Sequence, residues 1–328
     1  MSKKTIKWGI LGAGWISSKF VRDLAYAEGA EVTAVAARSL EKAAAFAKEY
    51  GIPRAYGSYE ELANAPDVDA IYIGTIHPAH HENLLTCLKA GKAVLCEKPF
   101  TMTAAEAREA VQVAEENGAF LMEAMWSRFL PPLRQVSEWL AEGRIGEVRL
   151  LKADFGFNTD WNPEGRLLDP KQGGGALMDA GIYPISLASF VFGRKPNTIQ
   201  STVHMGETGV DEHFSLLFDY GDGKTALLSA AVRLYMGEDA WILGTKGRIY
   251  LPRFLFADRA TLLVEGEEPV EFVDERKAEG YCFEAEEVMN SLREGKKQSD
   301  IMPLAETVAI METLDSIRKE WKLVFPFE

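Results

Sequence analysis

Ile6-Lys7-Trp8-Gly9-Ile10-Leu11-Gly12-Ala13-Gly14-Trp15-Ile16-Ser17 is the stretch that decides the fold. Ile6, Trp8, Ile10 and Leu11 make an apolar run suited to a strand buried in a parallel sheet. Gly12 permits a tight turn, and Gly14 lets backbone N–H groups approach a pyrophosphate at the start of the next helix, with Trp15 and Ile16 in the turn that leads into it. Ser17 stands where the dinucleotide-binding fingerprint has its third glycine, and a small residue there preserves helix–strand packing. A glycine pattern alone is weak. Here a strand precedes it, a helix over 18–27 follows, and a second strand over 31–37 completes a βαβ unit.

The end of that second strand bears on the nucleotide. An acid there binds a ribose 2′-hydroxyl, whereas an arginine accommodates a 2′-phosphate. The chain reads Val35-Ala36-Ala37-Arg38-Ser39, with Lys42 nearby and no carboxylate before Glu41. This pattern favours NADP and leaves NAD possible.

Strands and helices alternate to about residue 122, with helices over 40–50, 59–64, 81–90 and 103–117 and strands over 54–56, 70–74, 93–96 and 120–122. Such alternation predicts a doubly wound parallel sheet. Beyond a helix over 132–142 the pattern changes. Strands over 148–157, 198–204, 212–219, 224–232, 240–243, 248–250 and 261–264, separated by turns such as Tyr220-Gly221-Asp222-Gly223, predict an antiparallel sheet. Helices over 281–294 and 303–320 follow. The expected architecture is α/β, with a Rossmann domain over residues 1–123 and an α+β domain with a large open sheet over 124–328.

The chain has 328 residues, a net charge of −13 and 47% hydrophobic content. The negative balance argues against nucleic acid or an anionic membrane as partner. Cys87, Cys96 and Cys282 are widely spaced in apolar contexts, which suggests reduced core thiols. Met1 runs through Lys3-Lys4 into the first strand, so no leader is expected. No apolar stretch is read as approaching the ~20 residues of a membrane span. These features together predict a cytoplasmic protein.

Two further segments carry chemistry. Glu97-Lys98-Pro99 ends the apolar run Ala93-Val94-Leu95-Cys96. Its lysine must be paired, hydrated or used, because an isolated buried ammonium is costly. The carboxyl end of a strand is also where open α/β sheets bind ligands. Gly173-Gly174-Gly175-Ala176-Leu177-Met178-Asp179-Ala180-Gly181-Ile182-Tyr183 reads as a close-approach loop entering a helix over 176–190, which puts Asp179 and Tyr183 on one face. A tyrosine hydroxyl, with an ordinary pKa of about 10, becomes a useful base only when a nearby cation favours its phenolate. Lys98 offers that charge. The same spacing also suits a packed tyrosine with a satisfied hydroxyl and a surface acid. His77, His80 and His81 cluster near Glu82, but Pro78 interrupts the first pair and no second ligand cluster is visible. The expectation there is loop packing, with no metal.

These segments together resemble the Gfo/Idh/MocA oxidoreductase family. AYGSYEEL (55–62), IYIGTIHPAHHE (71–82), GKAVLCEKP (91–99), LMEAMWSRF (121–129), GGGALMDAGIY (173–183) and GTKGRIYL (244–251) are similar to its dimeric dihydrodiol dehydrogenase branch, which includes NADP-dependent D-xylose dehydrogenases. The resemblance covers the whole chain. It implies Lys98 as the catalytic lysine, Tyr183 as acid/base where many members have histidine, and Asp179 as the acid one turn earlier. It places Thr75, Ile76, His77 and His80 on the nicotinamide side, Glu97 at the nicotinamide ribose, and Trp126 and Arg128 in a segment closing over the cofactor. Phe155–Trp161 departs from the branch's pattern, which puts the substrate pocket in doubt. A small-molecule sugar, polyol or dihydrodiol is the implied substrate, with hydride transfer to NADP and a homodimer built through the second domain's sheet. A cofactor-recycling sugar oxidoreductase of the glucose–fructose type, or a non-catalytic nucleotide sensor, are the alternatives on this fold.

Overall fold

The computed structural model describes residues 4–328; Met1–Lys3, part of the segment read above as leaving no room for a leader, lie outside them. The chain divides into two compact units, one running to Phe129 and including Lys277–Val308, the other comprising Leu130–Arg276 and Ala309–Glu328. The reading from sequence placed a single division at 123/124.

The first unit holds a six-stranded sheet. Its strands are β1 (Ile6–Leu11), β2 (Ala30–Ala36), β3 (Arg54–Tyr56), β4 (Ala70–Ile73), β5 (Ala93–Glu97) and β6 (Leu121–Ala124). Their order is β3-β2-β1-β4-β5-β6, parallel throughout. β4, β5 and β6 are buried along their whole length, as continuous apolar runs require when helices cover both faces. The connecting helices are α1 (Trp15–Asp23), α2 (Leu40–Tyr50), α3 (Tyr59–Ala63), α4 (His80–Lys89) and α5 (Ala104–Glu116). Local chemistry sets their ends. Ser39 caps α2, Gly51 closes it at φ +68°, and Thr103 and Glu106 form a reciprocal capping box on α5.

The strand order reverses between β1 and β4, so the crevice beyond the carboxyl ends of these strands is where such a sheet takes a ligand. The late part of this unit is tied in by Asp23. This buried carboxylate at the end of α1 accepts from the N–H groups of Glu279 (2.7 Å), Gly280 (2.8 Å) and Cys282 (3.1 Å). It thereby caps the start of the helix Tyr281–Arg293.

The second unit begins with α6 (Pro131–Ala141) and is built on strands β7 (Val148–Gly156), β8 (Thr198–Met205), β9 (Asp211–Asp219), β10 (Thr225–Ala231), β11 (Ala240–Gly244), β12 (Gly247–Leu251), β13 (Arg259–Val264) and β14 (Val270–Val273). They order as β14-β13-β12-β11-β7-β10-β9-β8. Every neighbouring pair is antiparallel except β10 with β7. The sheet is therefore mixed at its centre and antiparallel elsewhere. Phe214, Leu216, Phe218, Leu228, Ile242 and Ile249 point from it into the core.

The segment Pro170–Phe192 is long and apolar enough to cross a membrane by composition, which the sequence reading did not anticipate. Since 78% of its apolar window is buried inside the fold, it is a core segment. It contains the helix α7 (Ile182–Phe192). Two helices close the chain, α8 (Tyr281–Arg293) and α9 (Leu304–Trp321). All three cysteines are buried, and none is in a disulfide.

Candidate active site

The first unit brings most of the singled-out residues to the carboxyl ends of its strands. Gly12 donates its N–H to Ala36 O at 2.9 Å and adopts φ +103°; a Cβ there would stand 2.9 Å from Gly74 O. Only glycine fits both demands. Gly14 is the N-cap of α1 and offers no side-chain acceptor, so the first amides of the helix stay available to an anion. Ser17 is fully buried, and its Oγ would lie 2.5 Å from a Cβ on Gly74. The room that the third glycine of the fingerprint normally provides is supplied here from across the contact, by Gly74 after β4. Trp15, the first residue of α1, is 71% exposed, and Ile76, in the loop after β4, is 37% exposed. An open N-terminus, a glycine cradle and exposed apolar side chains together fit a dinucleotide.

At the end of β2, Arg38 and Lys42 are exposed, while the Ser39 hydroxyl accepts from Lys42 N at 3.4 Å. The positive charge of Arg38 reaches Tyr59, whose phenol burial pushes above its ordinary range and Arg38 pulls back.

After β4, Thr75 Oγ1 accepts from Asn83 Nδ2 at 3.1 Å, and His77 is buried in the single turn His77–Ala79. His80 is fully buried, with Nδ1 2.9 Å from Pro99 O and Nε2 3.1 Å from Thr75 O. It fastens the loop after β4 to the turn after β5. Burial lowers its pKa, opposed by the carbonyls it faces. His81 turns elsewhere, to Glu109 at 3.1 Å. Among the described residues no group of three or more His, Cys, Asp or Glu side chains is arranged to hold a metal.

β5 ends at Glu97, and a cis peptide joins Lys98 to Pro99. Glu97 Oε1 accepts from the Tyr72 hydroxyl at 2.6 Å, and the Tyr72 ring stacks on Phe20 at 3.9 Å. Lys98 is half-buried. Behind this turn lies an acid that sequence reasoning missed. Glu284, fully buried on α8, has its pKa raised well above the carboxylate range by burial and then by the charges of Glu97 and Asp23. Burial, then Glu97 and Glu284, likewise push the Tyr72 phenol up. Trp126 stacks on Tyr281 at 4.8 Å, and Arg128, itself buried, pairs with Glu306 at 2.5 Å. Glu123 is another unforeseen buried acid, pushed up to about 7 by burial, with Thr307 and Arg128 opposing. An acid inside the apolar run Leu121-Met122-Glu123-Ala124 was the available signal.

Asp179 and Tyr183 belong to the second unit. Gly173 closes the turn Pro170–Gln172 at φ +71°, and a Cβ on Gly174 would meet Leu167 O at 2.8 Å. The helix expected from Ala176 forms without a break to Phe192, but one of its turns is not α. Leu177–Gly181 is a π turn and α7 starts only at Ile182. Pro184 accounts for this: within the helical run it offers no N–H to the preceding turn and its ring crowds the carbonyl of Ala180, a clash that the wider π turn relieves. The Asp179–Tyr183 relation is therefore set by a π-to-α junction. Asp179 accepts from Arg166 Nη1 at 2.6 Å, and their side chains are 8% and 43% exposed. Arg166 is a second residue the sequence reading passed over. Tyr183 is buried, with Phe155 edge-on to its ring at 5.7 Å and Phe157 beyond Phe155 at 5.8 Å. Trp161, exposed, carries the Arg233 guanidinium over its ring at 5.3 Å.

Two family models match the chain. One, described as the oxidoreductase family with an NAD-binding Rossmann fold, spans residues 6–125; the other, the GFO/IDH/MocA C-terminal domain, spans 133–250. The chain belongs to the Gfo/Idh/MocA oxidoreductases. Among the similar members of that family is trans-1,2-dihydrobenzene-1,2-diol dehydrogenase of Mus musculus, 42% identical over 331 residues and covering 98% of both chains. Among solved structures, the Gfo/Idh/MocA chain is similar to KijD10, a 3-ketoreductase from Actinomadura kijaniata in complex with NADP and TDP-benzene. That match has a TM-score of 0.84 at 25% identity over 96% of this chain and 98% of the other. The aldose-aldose oxidoreductase of Caulobacter crescentus shares the fold, with a TM-score of 0.88 at 22% identity over 97% and 98% of the two chains.

Proposed function

We propose that this chain is an NADP-dependent dehydrogenase acting on a secondary alcohol of a sugar, a cyclic polyol or a trans-dihydrodiol. The observation that carries the reading is its full-length similarity to dihydrodiol dehydrogenases. The first unit would hold the dinucleotide at Gly12, Gly14, Trp15, Ile16, Arg38, Ser39, Lys42 and the loop Thr75–His80, and the second domain would supply the substrate side and the dimer face. When bound, a nicotinamide dinucleotide supplies hydride acceptance. The chain's own residues manage the proton. Tyr183 takes it from the substrate hydroxyl, Lys98 donates to the same oxygen and stabilises its developing charge, and Asp179, held by Arg166, orients the substrate. Buried thiols outside any disulfide accord with a cytoplasmic enzyme. The direct test is NADP reduction across a panel of aldoses, polyols and trans-dihydrodiols. Turnover of at least one class is expected; none from any class overturns the reading.

NADP is expected to bind at least about tenfold more tightly than NAD, a difference of about 1.4 kcal/mol. Arg38 can fork onto a 2′-phosphate, and no acid stands between the end of β2 and Glu41 to hold a ribose hydroxyl. Titration by tryptophan fluorescence measures both affinities, and Arg38→Asp should damage NADP binding selectively. Equal affinities, or tighter NAD, would sink the claim.

A homodimer through the open face of the second unit's sheet is also expected. Leu227 is 44% exposed there, and Trp241 stacks on Tyr250 at 4.3 Å. An apolar face of this kind is usually covered. Light scattering should report a dimer for the wild type and a smaller species for Leu227→Glu. A monodisperse wild-type monomer at micromolar concentration counts against it.

A further inference from the structure

Resting on the reading of Asp179 and Tyr183 just given, we propose that Asp211 is a positioning residue that fixes the glycine loop and π turn presenting those two side chains, and so sets the turnover rate. Asp211 is the first residue of β9 and is completely buried. Its Oδ2 accepts from Leu177 N at 2.6 Å, at the first residue of the π turn. Its Oδ1 lies against Gly175 so closely that a Cβ there would collide with it, and Gly175 sits at φ +121°. The third glycine of Gly173-Gly174-Gly175 is thus required by this carboxylate as well as by its backbone angle.

The same strand grips the other end of the turn. The Phe214 ring occupies the space that a side chain on Gly181 would need. β9 therefore holds the segment before Asp179 through a buried acid and the segment before Tyr183 through a ring. Arg318 of α9 contributes positive charge toward Asp211, while burial pushes its carboxyl up to about 7. A buried acid of this kind is costly unless its acceptor capacity is used. Here Oδ2 is spent on the amide of Leu177, two residues before Asp179, while Oδ1, crowded against Gly175, has no hydrogen-bond partner among the described residues.

The test compares Asp211→Asn, which keeps the shape and one acceptor oxygen, with Gly175→Ala, which crowds the same carboxylate from the other side. Tyr183→Phe is run beside them, and folding is followed by circular dichroism. In a folded variant, kcat should fall about ten- to a hundredfold, the scale of a displacement near 1 Å, while KM and NADP affinity stay within about threefold. A merely structural role would lower the unfolding midpoint without that split between kcat and KM. A folded Asp211→Asn enzyme with kcat within about threefold of wild type, or loss of folding in both variants, overturns the proposal. If Tyr183→Phe collapses while Asp211→Asn does not, the positioning role alone fails. If Tyr183→Phe turns over normally, the reading of Tyr183 has failed instead.

Discussion

Tyr183→Phe is expected to lose about 10²–10⁴-fold in kcat, the range for removing a positioned general acid/base, while leaving NADP affinity nearly intact. The substitution deletes one oxygen and keeps the ring, so the edge-on contact with Phe155 survives and the core of the second unit stays packed. On the proposed reading, what goes is the group that takes the hydroxyl proton as hydride leaves the carbinol carbon. Steady-state rates from NADPH absorbance, with fluorescence titration of NADP, separate the two effects. A variant within about threefold of wild type would mean that Tyr183 is a packed core tyrosine. His77 would then be the next candidate, since both ring nitrogens of His80 already face carbonyl oxygens.

Lys98→Met should be as severe or worse. Methionine keeps an unbranched side chain on a half-buried turn but removes the ammonium. On the proposed reading, the enzyme would lose the donor that holds the substrate oxygen and the charge that favours a phenolate. The turn itself should persist, because His80 contacts Pro99 O and Glu97 accepts from Tyr72 independently of the lysine head group. Combined with Tyr183→Phe, the loss should be far from additive, since residues acting as one unit fail together. Fully additive losses, or a defect confined to NADP binding, would show that Lys98 works apart from proton transfer.

Much of the first unit was legible because its signals are local. Strands buried on both faces read as unbroken apolar runs, and α2 and β3 end where Ser39, Gly51 and Tyr56 say they should. β14 was not read, since Val270-Glu271-Phe272-Val273 follows Glu267-Glu268-Pro269 and shows three of its residues to solvent as an edge strand. The parallel pairing of β10 with β7 was equally hidden, because the residues joined, such as Ala226 and Leu151, look alike in either direction. At the candidate site, Lys98, Asp179 and Tyr183 stood out by residue type and spacing. The partners that hold them in place did not. Arg166 on Asp179, Tyr72 on Glu97 and Asp211 on Leu177 are contacts that only the fold creates. The π turn had a readable cause in Pro184, whose meaning depends on where the helix begins.

The cap that Asp23 places on α8 has a consequence for synthesis. Its donor Gly280 lies 257 residues downstream. At ribosomal rates of about 5–20 residues per second, Asp23 waits roughly 10–50 s for the amides that satisfy it. Until then the nascent nucleotide half carries an unmet carboxylate and an uncovered seat for a helix. Chaperone holding during elongation should therefore be strongest before residue 282 emerges. A fragment ending at Phe129 should be prone to aggregation however complete its six strands are.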